Sequence, residues 1–158
     1  MLTTTIDAIA QDDWQAPDEP QWVYLIHEDT IVFYVGRTNA PASCIMEILG
    51  KGEHPWQETA IDLLVRENLP HSRSWSVTLL TLDDCTPYIA EHSPGELDWY
   101  ERQPATEDKA RSAAAAAIAI HRPCLNQIGN RAAPRTPLPA RYVRERITNA
   151  GVHLPESL

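Results

Sequence analysis

The residues of this chain whose types and spacing could do chemistry are two tyrosines and an arginine. Tyr24 lies in the apolar run Trp22–Ile26 and Tyr34 in the run Ile31–Val35, which leads into Gly36 and Arg37. A phenol can donate or accept a proton, and a guanidinium beside a glycine can face a phosphate. Packing of aromatic rings on a sheet would account for the two tyrosines equally well. Other chemistries have less to build on. The six histidines are scattered, and no CxxC or HExxH occurs, so no structural zinc site is expected. The three cysteines, Cys44, Cys85 and Cys124, are far apart and odd in number, which fits reduced thiols in a cytoplasm.

Charge narrows the partners. The chain carries −9 overall, which argues against its whole surface gripping nucleic acid. The distribution is uneven: residues 1–121 hold 7 Lys+Arg against 20 Asp+Glu, and residues 122–158 hold 6 Arg against 2 Glu. Phosphate contact is therefore expected from a basic C-terminal arm, through Arg131, Arg135, Arg141 and Arg144. The same arginines would suit a solvated tail or a segment that docks on a protein. No run of about eighteen apolar residues occurs, so no membrane span is expected, and the first residues show no secretory signal.

These residues need elements to hold them. The two runs around His27-Glu28-Asp29-Thr30 predict a β-hairpin with both tyrosines on one face. Residues 1–21 read as a polar lead-in, with a short helix over Thr3–Ala10. Pro41 opens a helix through Cys44, Ile45, Ile48 and Leu49, which Gly50 stops. A second helix runs from Pro55 to Pro70 with Ile61, Leu64, Val65 and Leu69 inward. Trp75–Leu82 is a third strand. Leu97, Trp99 and Tyr100 form a turn of helix over the core. Thr106 caps a last helix through Ala113–Ala117, which ends before Pro123-Cys124-Leu125-Asn126. Residues 129–158 form the arm, with a short helix over Tyr142–Ala150. The expectation is an α+β domain over 22–128: an antiparallel three-stranded sheet flanked by helices.

Four features in one order make this stretch resemble the GIY-YIG nuclease superfamily: the Tyr24 strand, Tyr34-Val35-Gly36-Arg37, the strand opening at Trp75, and a helix followed by Pro123 and Asn126. Trp22 stands where the family usually has glycine. The resemblance implies an endonuclease acting on DNA phosphodiesters. One tyrosine would help deprotonate the attacking water, an arginine would neutralise charge on the phosphoryl oxygens, and a glutamate on the last helix would hold one magnesium ion. Gly36 and Asn126 would support the site, with Tyr24, Tyr34 and Arg37 in the catalytic roles.

Two positions depart from that pattern. The family's helix arginine falls on Cys44 and its metal-binding glutamate on Ala114, and neither can do the expected work. Either a glutamate has been replaced by alanine, trapping a bound state, or the domain lost its chemistry and kept its surface. The missing arginine favours the second, with Arg37 as a partial substitute. No tightly bound divalent ion is expected, and the alternative to a nuclease is a non-catalytic module that docks on nucleic acid or on a protein.

Overall fold

A computed structural model describes residues 1–52, 59–126 and 134–142. Its first element departs from expectation. Leu2–Thr5 is a strand, β1, and only Ile6–Ile9 turns as helix, α1. The stretch looks polar because three of its four strand residues are threonines, but threonine is β-branched and suits a strand. The Thr5 hydroxyl accepts from the Ala8 amide at 3.1 Å and so starts α1. Ile6 and Ile9 are buried in the main core.

The hairpin forms as the two apolar runs predict, from β2 (Trp22–Glu28) and β3 (Ile31–Thr38). The turn is tighter than expected: His27 and Glu28 belong to the strand, and Asp29 takes a left-handed φ of 50°. The strand opening near Trp75 is β4, Ser76–Leu80. It pairs with β2 on one side and with β1 on the other, all antiparallel. The sheet therefore has four strands in the order β1-β4-β2-β3, not the three expected, while the α+β class stands.

Helices cover both faces. On one lie α1, α2 (Pro41–Ile48) and α3 (Ala60–Glu67). Pro41 opens α2 and Gly50, at φ 76°, follows its end. α3 begins after Thr59, where Thr59 and Asp62 exchange side-chain-to-backbone bonds in a capping box; the start expected at Pro55 lies outside the described residues, and Leu69, expected inward, is exposed. On the other face lie α4 (Thr86–His92), α5 (Leu97–Arg102) and α6 (Glu107–His121). Tyr100 of α5 is fully buried, and its hydroxyl donates to the Leu82 carbonyl at 2.6 Å. The alanine run lets α6 lie close against Val23, Leu25 and Val35.

The stretch expected as an arm reaches into the core. Leu138 and Tyr142 are buried, and the Tyr142 ring stands edge-on to Phe33 and Trp75 at 5.2 and 5.6 Å. Tyr142 ends a short 3-10 turn, Ala140–Tyr142; the rest of the helix expected over 142–150 lies outside the described residues. Among the described residues no helix is long and apolar enough to cross a membrane.

Two half-buried histidines bond within their own layers, His27 between strands β2 and β4 and His121 between helices α6 and α4. His27 Nε2 lies 2.9 Å from Thr78 Oγ1, and His121 Nε2 lies 3.2 Å from Tyr88 Oη. Burial lowers both imidazoles below their ordinary value of 6.5, and for His121 the charges of Arg135 and His27 lower it further. A depressed folded-state value means that the unfolded chain takes up protons first. The stability these groups contribute is present above about pH 6.5 and is lost as pH falls through their folded values. Urea midpoints should therefore fall between pH 7.5 and 5, and a His27→Gln/His121→Gln double variant should show a shallower fall. Parallel curves for the two proteins would exclude these histidines as the cause.

Candidate functional site

The two tyrosines meet because β3 carries a bulge. Ile26 faces Tyr34 and His27 faces Val32, so Phe33 is an extra residue on β3. The bulge resets the alternation and turns both Phe33 and Tyr34 toward the α2–α3 side. Tyr24 projects from β2 on that same side, and its ring centroid lies 6.0 Å from that of Tyr34. Gly36, directly across from Tyr24, makes room for the phenol ring. A Cβ there would lie 2.6 Å from Tyr24 Cε1, so any side chain at 36 would displace the tyrosine.

Asn126 holds the edge of this hairpin. Its side-chain oxygen accepts from the Val35 amide and its side-chain nitrogen donates to the Val35 carbonyl, both at 2.8 Å. The amide of Cys124 donates to Val32 and that of Leu125 to Phe33. Residues 124–126 thus run along the outer side of β3 and pin the strand segment that bears Tyr34. Asn126→Ala would leave both Val35 groups without these partners, at a cost of about 1–3 kcal/mol. A denaturant midpoint unchanged from the parent would refute this support.

Beside the phenols stands α2 with Cys44, where the resemblance would place an arginine. The thiol lies near enough to the Tyr24 hydroxyl for each to shift the other, and Asp62 of α3 adds negative charge nearby. Burial pushes the Tyr24 phenol well above its usual value, and Cys44 and Tyr34 push it further. Tyr34 is raised by burial, then by Cys44 and Asp62. Burial also raises Cys44, against a lowering by the Tyr24 hydroxyl, and Glu47 and Asp62 raise it further. All three groups keep their protons at neutral pH. The cluster can donate hydrogen bonds, but it does not present a base tuned to take a proton from water.

The remaining candidates lie elsewhere. Arg37 faces Val23 across the ladder, on the α6 side, and its guanidinium donates to Glu107 at 3.0 Å. It does not join the tyrosines. Ala114 also belongs to the α6 side, packed in the apolar layer with Val23 and Val35. Its methyl offers no oxygen to magnesium and its surroundings are apolar, so this position does not fit the ion the resemblance implies. Asp62 of α3, the carboxylate whose charge acts on both tyrosines, already accepts from the Thr59 amide at 2.8 Å. Among the described residues no group of three or more His, Cys, Asp and Glu could hold a metal ion.

Of the arm residues, Arg131 and Arg144 lie outside the described residues. Arg135 is exposed, and its amide donates to the Arg122 carbonyl at 2.9 Å. Arg141 stacks over the Tyr142 ring at 4.5 Å, donates to its hydroxyl at 2.7 Å, and lies 3.9 Å from Glu28. Sequence reasoning missed Asp62 and the bulge at Phe33. The Thr59-to-Asp62 spacing is a readable cap signal, but nothing in the chain announces the bulge.

No protein-family model matches this chain, and neither a curated protein nor a solved structure does.

Proposed function

We propose that this is a non-catalytic binding module on a GIY-YIG-like sheet, a domain that keeps the paired-tyrosine face without the means to cleave. One observation carries the reading. The tyrosines face a thiol and a carboxylate, while Arg37 and Ala114 belong to the opposite side of the sheet. Phosphoryl transfer needs a positive group where charge develops on the phosphate, and the groups that shift these phenols are neutral or negative.

The nuclease reading keeps one specific support: Tyr24 and Tyr34 share a face of the hairpin, with Gly36 seating the Tyr24 ring and Asn126 bonded to Val35. Cleavage assays separate the two. The chain should leave supercoiled plasmid, linear duplex and single-stranded DNA intact with magnesium or manganese, and calorimetry should find no saturable magnesium site. Metal-dependent nicking that disappears in Tyr34→Phe would overturn the proposal. Of the docking partners, DNA is tested by gel shift at two salt concentrations. Contact through the exposed arginines predicts weak binding that falls steeply with salt. No binding at low salt would leave a protein as the partner.

A further inference from the structure

We propose that the groove between α2 and residues 10–19 binds a basic peptide in extended form. This rests on nothing read at the tyrosine face. Two hollows of about 400 and 370 Å³ adjoin there, sharing Trp14, Ala42 and Ser43 as common walls. Half-buried Trp14 packs against the main core, so the divide between the hollows is an indole fixed to the body of the protein.

The rim is negative at both ends. Asp12 and Glu47 line the first hollow, and Asp18 and Glu19 line the second. All four are exposed, and among the described residues none of them forms an ion pair. Some acids elsewhere are matched, as Asp7 is with Arg73, Glu107 with Arg37 and Arg111, and Asp98 with Arg102, while Glu91 and Glu101 are exposed without an ion pair among the described residues and line neither hollow. Lys51, lining the first hollow, is the one cation among the residues that line either. Unmatched carboxylates around an indole attract guanidinium groups, which pair with the acids and stack on the ring face. Two hollows joined end to end suit a chain that runs across Trp14 better than one compact ligand. The same charge repels nucleic acid.

The probe is a fluorescein-labelled peptide of four arginines separated by leucine and proline, titrated into the full chain by anisotropy. Saturable binding is expected. Asp12→Asn/Glu47→Gln should weaken it about tenfold, as should Trp14→Ala, because aromatic anchors and the charges that pair beside them dominate such interfaces. A control removing the same charge elsewhere, Glu91→Gln/Glu101→Gln on exposed helix positions, should change affinity less than about twofold. If Trp14→Ala does not fold, amide shifts of the unaltered chain decide: the peptide should move Ala42, Ser43 and Gly52. Equal loss in the groove and control pairs would reduce the binding to general charge attraction and overturn the proposal. So would shifts confined to other surfaces, or no saturable binding.

Discussion

Replacing Tyr142 with alanine should destabilise the fold by about 3–5 kcal/mol, the cost of removing a large aromatic ring from a packed core. The ring is 2% exposed and closes a three-ring cluster with Phe33 and Trp75, themselves 4.4 Å apart between centroids. The backbone is fixed as well, since Asn68 donates to the Tyr142 carbonyl at 3.1 Å. Tyr142→Phe keeps the ring and loses the bond from Arg141, so it should cost only about 1 kcal/mol. Guanidinium midpoints followed by tryptophan fluorescence measure both. An alanine variant as stable as the phenylalanine one would mean that residues 138–142 do not belong to the core. The result bears on how the arm can be tested. Deleting residues 131–158 would remove Leu138 and Tyr142 and confuse unfolding with lost DNA contact. Arg135→Ser isolates the charge without touching the core.

Ala114→Glu should not restore cleavage, and should cost about 2–3 kcal/mol from putting a carboxylate into an apolar layer. Ala114 is 8% exposed between α6 and the sheet, with Ala110, Ala117 and Val35 in the same cluster. A carboxylate placed there starts on the side of the sheet away from the phenols. It meets neither Tyr24 nor Tyr34, and the charged groups that act on those phenols are not guanidinium groups. Thermal melting and magnesium-dependent nicking of supercoiled plasmid give the two readouts. A stable variant that nicks plasmid would show that the site assembles around the sheet edge, and the non-catalytic reading would fall.

Much of the fold was legible where burial has a period. The hairpin, α2 behind Pro41 and α6 behind Thr106 follow from apolar spacing, helix-opening proline and capping chemistry. β1 was not legible, because a four-residue edge strand of threonines offers no apolar alternation to read. Its partner β4 supplies what the local sequence lacks. At the candidate site the placing of Tyr24 and Tyr34 on the two strands of one hairpin was legible, but Arg37 was assigned by its place directly after Gly36. On a strand, adjacent residues point to opposite faces, and that parity places Arg37 with Val23 and Val35. Tyr34 shares a face with Tyr24 only through the bulge, which is set by how β2 and β3 close together. The reach of residues 138–142 was hidden by prolines and arginines that suggested a solvated tail.

The clasp of residues 124–126 along β3 has a consequence for self-association. An edge strand with free amides and carbonyls is a template on which another chain can add. Here the amides of Cys124 and Leu125 and both polar groups of the Asn126 side chain already occupy β3 at Val32, Phe33 and Val35. The Val32–Val35 stretch of this long apolar border is thereby withdrawn from strand addition, while the short threonine-rich border at β1 has β4 on one side and is open to a new strand on the other. Loss of the Asn126 side chain should accordingly show first as slow aggregation during storage, before any change in the folded monomer's spectrum.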